Sequence, residues 1–154
     1  FIPAQPGAIV TTTGSQIGEH SGLMYYTIGQ RQGLGIGGTE PGKDEPWYVV
    51  NKLLDSNQLV VAQGVDNPLL FHSRCRVTGL HWIASAATAL PFDCSAKVRY
   101  RQQDSACRIL ACADGTAEIE FSEPQRAVTP GQALVLYQGE QCLGGGTIEM
   151  AYNP

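Results

Sequence analysis

The run Lys97-Val-Arg-Tyr-Arg-Gln102 carries the side chains best suited to binding a charged ligand. On an extended strand side chains alternate between two faces, so Lys97, Arg99 and Arg101 share one face and Tyr100 points to the other. Like charges on one face repel each other, and an anionic partner relieves that repulsion. Arginine suits phosphate oxygens, and a tyrosine ring fills a core or stacks on an unpaired base. The run predicts a phosphate-binding strand, with an ordinary solvated strand face as the alternative.

A second candidate is the glycine-rich run 29–38, which carries Gln30 and Arg31. It lacks the Gly-Lys-Ser/Thr ending of a phosphate-binding P-loop and the strand–helix context of a dinucleotide-binding fingerprint. Its five glycines give a flexible backbone that can approach another surface closely. A plain surface loop is the alternative interpretation.

Catalytic and metal-ligating patterns are missing from the sequence. The five cysteines form no C-x-x-C pair, and the three histidines are scattered singly. Buried thiols in a reducing cytosol explain the cysteines most simply. An independent enzyme that uses Cys94 or Cys107 is an alternative, and it predicts rapid labelling of that thiol at neutral pH. We expect no catalytic residue and no metal site in this chain.

Charge is unevenly distributed, although the net charge is only −4. Residues 68–111 carry six basic and two acidic side chains, whereas residues 112–154 carry one basic and six acidic ones. A partner responds mainly to charges within about a Debye length, so a basic zone on an acidic protein can still bind a polyanion. The acidic total therefore does not exclude a nucleic-acid partner.

Size and composition favour a small β protein. The chain has 154 residues, of which 43% are hydrophobic and 16% charged, and this suits one or two compact domains and argues against disorder. Eighteen glycines and nine prolines fit short strands joined by turns. No apolar run approaches the roughly 20 residues of a membrane span, so we expect no membrane partner. The cysteine usage leads us to expect a cytoplasmic location.

Turn signals at Asp66-Asn-Pro68 predict a boundary, with domains at 1–67 and 68–154. For the first domain the sequence pattern predicts a small antiparallel β-rich subdomain, with strands at 8–13, 16–19, 46–52 and 58–62 and a possible helical turn at 21–26. For the second domain it predicts a six- or seven-stranded antiparallel β-barrel, with strands at 72–77, 79–83, 95–101, 107–113, 117–121, 133–138 and 141–149. The fold class is mainly β, and we find no internal repeat.

Eight ordered motifs resemble the C-terminal part of the bacterial tRNA-specific 2-thiouridylases (tRNA-uridine 2-sulfurtransferases, with the older label tRNA (5-methylaminomethyl-2-thiouridylate)-methyltransferases). They lie at 3–7, 20–22, 26–31 with 33–37, 47–50, 97–102, 124–125, 127–132 and 142–146. The resemblance spans essentially the whole chain and covers only the family's central and C-terminal domains. Because Phe1 is not methionine, we expect a fragment or a processed chain.

The resemblance implies a parent enzyme that makes 2-thiouridine at the wobble position of tRNA. In the family an N-terminal domain binds ATP with Mg through a Ser-Gly-Gly-x-Asp-Ser motif, and two cysteines carry persulfide sulfur from a donor protein. This sequence contains neither the motif nor those cysteines. The resemblance therefore implies that this chain is catalytically silent on its own and holds no cofactor. It also implies that the partner of the chain is tRNA.

Motif matching also implies which residues contact tRNA. The implied contacts are Arg99, Tyr100 and Gln132, with Lys97 and Arg101 beside them. Gln30 and Arg31 match a loop near the reactive centre of the complete enzyme. Gln32 stands where many relatives carry lysine, which removes one potential phosphate contact.

A free-standing β-barrel adaptor that binds protein rather than RNA is the alternative from another functional class. That alternative fails if the native gene continues upstream of Phe1 into the Ser-Gly-Gly-x-Asp-Ser motif.

Overall fold

The computed structural model describes residues 4–31, 33–36, 45–82, 89–98 and 104–154. Over these ranges the chain forms ten strands and two short 3-10 turns, Leu23–Tyr25 and Pro68–Leu70. It divides into two compact units, Phe1–Leu70 and Phe71–Pro154. None of the helical segments in these ranges is long and apolar enough to cross a membrane.

The first unit contains a four-stranded sheet in the order β2-β1-β4-β3. Its strands are β1 Gly7–Val10, β2 Gln16–His20, β3 Trp47–Leu53 and β4 Gln58–Gln63. Two hairpins pair β1 with β2 and β3 with β4, but β1 lies parallel to β4. The expectation of a purely antiparallel subdomain is therefore wrong for this central pair. Turn signals predict each hairpin. The parallel pairing of β1 with β4 joins the two hairpins, and it depends on which side chains each hairpin buries.

The second unit is a closed antiparallel barrel of six strands in the order β10-β5-β8-β7-β6-β9. The strands are β5 Phe71–Trp82, β6 Phe92–Lys97, β7 Ser105–Ala113, β8 Thr116–Arg126, β9 Ala133–Gln138 and β10 Gln141–Tyr152. The predicted mainly-β fold, a β-rich subdomain followed by a barrel, is confirmed.

The predicted strands 72–77 and 79–83 are one bulged strand, β5. Gly79 has a φ of 60°, and the register against β10 shifts between Gly145 and Thr147. An extra residue in one strand bends it without ending it, which explains why a glycine that reads as a break lies inside a strand.

Side-chain alternation along the strands builds the barrel core. On β8, Ala117, Ile119 and Phe121 are almost fully buried, whereas Glu118 and Glu120 alternate with them on the outside. Fully burying an isoleucine or phenylalanine side chain contributes roughly 1.5–3 kcal/mol. Register is therefore strongly fixed, because a one-residue slip would bring the glutamates inside. This fixed register sets where each charged side chain lies on the barrel exterior.

Candidate nucleic-acid interface

Gln132 closes a tight turn between β8 and β9. Its N–H donates to the carbonyl oxygen of Thr129 at 3.2 Å, and the N–H of Thr129 donates to Oε1 of Gln132 at 3.1 Å. Pro130 and Gly131 occupy the centre, and the φ of 93° at Gly131 is that of a type II turn. The two hydrogen bonds hold the Gln132 side chain against its own turn.

The same turn occurs in the first unit at Thr27-Ile-Gly-Gln30. Gly29 has a φ of 88°, and the N–H of Gln30 donates to the Thr27 carbonyl oxygen at 3.0 Å. The N–H of Thr27 donates to Oε1 of Gln30 at 3.1 Å. Both turns therefore use threonine, glycine and glutamine in the same positions and for the same hydrogen bonds.

The two turns also attach to a neighbouring strand in the same way. The N–H of Gly29 donates to the carbonyl oxygen of Val49 at 2.7 Å, and the N–H of Val49 donates to that of Gln30 at 3.0 Å. The corresponding pair joins Gly131 and Gln132 to Ile148, with both distances 2.8 Å. The chain thus contains a four-residue structural repeat that the expectation of no internal repeat did not include. The pattern Thr-x-Gly-Gln was visible at 27–30 and 129–132, but it is too short to count as a sequence repeat.

The hydrogen bond to Thr129 decides what Gln132 can offer a ligand. A carboxamide has one acceptor oxygen and two N–H donors. With Oε1 committed to the turn, Gln132 presents its Nε2 hydrogens to a partner. Such donors suit phosphate oxygens and the carbonyl groups of bases.

Lys97 lies at the same end of the barrel as Gln132. It is the last residue of β6, and it pairs in register with Val135 of the antiparallel neighbour β9, three residues after Gln132. Val98 packs against the core, so the predicted alternation of Lys97 outward and Val98 inward is observed. Residues 99–103 lie outside the described ranges, and the predictions for Arg99, Tyr100 and Arg101 stay predictions.

Lys97 also has an acidic neighbour. Its Nζ lies 3.8 Å from Oδ1 of Asp104, and both side chains are more than a third exposed. Ion pairs of this length and exposure contribute about 1 kcal/mol or less, so a phosphate group can displace Asp104.

The other described cations of the basic segment 68–111 are also paired. Arg74 binds Glu120 at 2.8 Å, Arg76 binds Glu118 at 2.6 Å and Arg108 binds Asp93 at 2.8 Å. Two of these carboxylates come from β8, in the acidic segment 112–154. Charges that are segregated along the sequence are therefore interleaved across the barrel, and these three arginines form no uncompensated basic patch.

Gln30 and Arg31 lie in the first unit, where buried His20 helps to support the preceding segment. His20 Nε2 lies 2.8 Å from the Asn57 carbonyl oxygen, and His20 Nδ1 accepts the Gly22 N–H at 3.1 Å. The ring also packs edge-on against Tyr26, with centroids 6.0 Å apart. This brings the chain to the Gln30 turn with Arg31 exposed beside it. The structure places Lys97 and Gln132 at the same end of the barrel, and it holds Gln30 and Arg31 in the other unit.

Among the described residues, no group of three or more histidine, cysteine, aspartate or glutamate side chains could hold a metal ion. Burial and nearby Glu118 raise the pKa of Cys75 to about 12, which makes it a poor nucleophile. The hydrogen bond between Cys94 and Cys107 raises the pKa of Cys107 and lowers that of Cys94. Cys94 is therefore the most easily ionised of these three thiols.

Residues 1–63 match a family model described as tRNA methyl transferase PRC-barrel domain, and residues 72–148 match one described as Aminomethyltransferase beta-barrel domain. The chain is 53% identical over 152 residues to proteins named tRNA-specific 2-thiouridylase MnmA from Yersinia pestis (strain Pestoides F) and Yersinia pseudotuberculosis serotype O:1b (strain IP 31758).

Each of these alignments covers 99% of this chain but 41% of the relative, so the chain spans about two-fifths of the length of these curated relatives. The two domain models match in the order that the eight sequence motifs predict. The chain belongs to the tRNA-specific 2-thiouridylase family and corresponds to the family's central and C-terminal domains.

Proposed function

We propose that this chain positions tRNA in an enzyme that makes 2-thiouridine at the wobble position. The observation that carries the proposal is the placement of Gln132 and Lys97 at one end of the closed barrel, beside segment 99–103. That segment contains Arg99, Tyr100 and Arg101, so the sequence adds two cations and an aromatic ring directly after Lys97. The names of the relatives supply the RNA class, since they are tRNA-specific 2-thiouridylases.

In this proposal residues 68–154 contact tRNA, and residues 1–67 link the barrel to the part of the enzyme that performs the chemistry. Gln30 and Arg31 then lie near the reactive centre. Phosphate contacts from Lys97, Arg99 and Arg101 set the orientation of the RNA, and they produce a strong dependence of affinity on salt. Tyr100 stacks on an unpaired base.

Catalysis in this proposal belongs to another part of the parent enzyme. That part binds ATP with Mg and receives sulfur from a persulfide-donor protein in the cytoplasm. The residues of this chain do not fit the nucleotide, because it contains neither a Ser-Gly-Gly-x-Asp-Ser motif nor a P-loop. We assign no catalytic step to this chain.

Filter binding of tRNA to the natural protein that contains this chain tests the proposal. Affinity is measured at several salt concentrations for the wild type and for a variant with Arg99, Tyr100 and Arg101 replaced by alanine. We expect the variant to bind more weakly and its logarithmic salt dependence to become shallower, because the two arginines no longer release counterions. Equal affinity and equal salt dependence would contradict the RNA role and favour the protein-binding adaptor.

A further inference from the structure

Two cysteine side chains face each other across neighbouring strands of the barrel. Cys94 on β6 and Cys107 on β7 are direct partners in the antiparallel register. Their Sγ atoms lie 3.7 Å apart, and both thiols are free. Cα atoms of antiparallel partners are about 4.5–5.5 Å apart, which is within the range that a disulfide spans. The backbone spacing of this pair therefore permits a disulfide.

The two thiols differ in the way that a reactive pair requires. Cys94 is half-buried and packs against the barrel core, whereas Cys107 is 3% exposed. The hydrogen bond between them favours ionisation of Cys94 and keeps the proton on Cys107. Cys94 is thus suited to react first and Cys107 to resolve the product.

We propose that Cys94 and Cys107 form a peroxide-oxidisable dithiol in the middle of the paired β6 and β7 strands. The Cys94 thiolate attacks one oxygen of hydrogen peroxide, which breaks the O–O bond and gives a sulfenic acid and, after protonation, water. The Cys107 sulfur then attacks the Cys94 sulfur, and its proton leaves with the hydroxide as a second water. In total, two thiols and one peroxide give one disulfide and two waters, with sulfur oxidised and peroxide reduced.

The position of the pair gives the oxidation a structural consequence. The disulfide would close a loop over residues 94–107, which contains Lys97, Asp104 and the segment 99–103. A crosslink restricts the conformations that such a loop can reach in the unfolded chain. Oxidation therefore acts on the hairpin itself, whether or not the hairpin binds tRNA.

Peroxide treatment followed by mass spectrometry tests the proposal on the whole chain. Tryptic cleavage at Lys97, Arg99 and Arg101 separates the two cysteines, so a disulfide joins two peptides that otherwise part. We expect this crosslink to form about tenfold faster than oxidation of half-buried Cys112 or Cys142 in the same molecule. The crosslink should disappear after reduction and be absent from Cys94→Ser, but it should persist in Cys112→Ser.

Trapping the Cys94 sulfenic acid shows whether Cys107 reacts with this intermediate or only lies near it. In Cys107→Ser a dimedone adduct should accumulate on Cys94, since no thiol resolves the sulfenic acid. Equal adduct in wild type and Cys107→Ser, or no Cys94–Cys107 crosslink in the wild type, would overturn the proposal. If Cys107→Ser fails to fold by circular dichroism, the wild-type crosslinking rate decides the question alone.

Discussion

The Nζ atom of Lys97 lies 3.8 Å from Oδ1 of Asp104, so an ion pair spans the two ends of segment 99–103. The carboxylate partly neutralises the cation that the proposal assigns to phosphate binding. Because both side chains are substantially exposed, the pair is weak and a phosphate group competes with Asp104 for Lys97. We therefore expect Asp104 to lower the affinity of this end of the barrel for a polyanion.

Removing that carboxylate should strengthen RNA binding. We expect Asp104→Asn to raise tRNA affinity about two- to fivefold at low salt, because Lys97 no longer has to leave the Asp104 carboxylate in order to bind an RNA phosphate. Filter binding measures the change. Asp93→Asn is the matched control, because it removes the exposed partner of Arg108 elsewhere on the barrel. The same gain in both variants would show that only net charge matters.

Arg99 should contribute a phosphate contact. We expect Arg99→Ala to weaken tRNA binding and to reduce the logarithmic salt slope by about one, while the fold is retained. The matched control is Arg108→Ala, which removes an arginine that already binds Asp93. A loss of affinity as large in Arg108→Ala as in Arg99→Ala would argue against a specific role for the hairpin.

Acid should destabilise the barrel through Glu118. Burial raises the pKa of Glu118, but hydrogen bonds from Tyr152 and Arg76 outweigh it, so the pKa lies below its ordinary 4.5. A lowered folded-state pKa means that the stabilisation is complete above the unfolded-state value and is lost as pH falls through the folded-state value. Stability should therefore decrease with acid below about pH 4.5.

Tyr152→Phe tests this account, because it removes one of the hydrogen bonds that keep Glu118 ionised. We expect a loss of about 1 kcal/mol at neutral pH and a shallower decrease in acid. Urea unfolding in a Trp47→Phe background leaves Trp82 as the single tryptophan, and it reports on the barrel. Tyr137→Phe, on β9, is the control. An unchanged acid dependence in Tyr152→Phe would contradict this role of the Tyr152 hydrogen bond.

Gly144 should be intolerant of any side chain. A Cβ atom there would lie 2.3 Å from the carbonyl oxygen of His81, and the φ of 155° is one that other residues rarely adopt. We expect Gly144→Ala to lower the free energy of unfolding by about 3 kcal/mol. At Gly139, with a φ of 62°, the added Cβ meets no atom within 4 Å, so Gly139→Ala should cost about 1 kcal/mol. Urea unfolding of both variants checks the difference, and equal losses would show that the close approach to His81 is relieved.

Much of the fold could be predicted because strand patterns and turn residues are local signals. The alternation of apolar and charged residues on β8 and the turn at Asp114-Gly115 predict strands and a hairpin directly. The parallel pairing of β1 with β4 could not be predicted, since it depends on packing between distant segments. Gly79 misled the strand assignment, because a bulge and a break have the same sequence signal.

The candidate site was only partly predictable for the same reason. Lys97 and Gln132 are far apart in the sequence, and it is the register of β6 against β9 that places them at the same end of the barrel. The basic segment predicted a cationic surface, but cross-strand pairing places Glu118 and Glu120 beside its arginines. Local sequence patterns do not predict which side chains become neighbours when the barrel closes.

The most direct test of the central claim is the tRNA affinity of Gln132→Glu compared with Gln138→Glu. A glutamate at 132 keeps an oxygen that can accept the Thr129 N–H but loses the Nε2 donors, and a glutamate at 138 adds the same charge at the other end of β9. We predict that Gln132→Glu weakens tRNA binding at least about tenfold and Gln138→Glu less than about twofold, with equal stability to urea. Equal affinities of the two variants would contradict the assignment of this end of the barrel to tRNA.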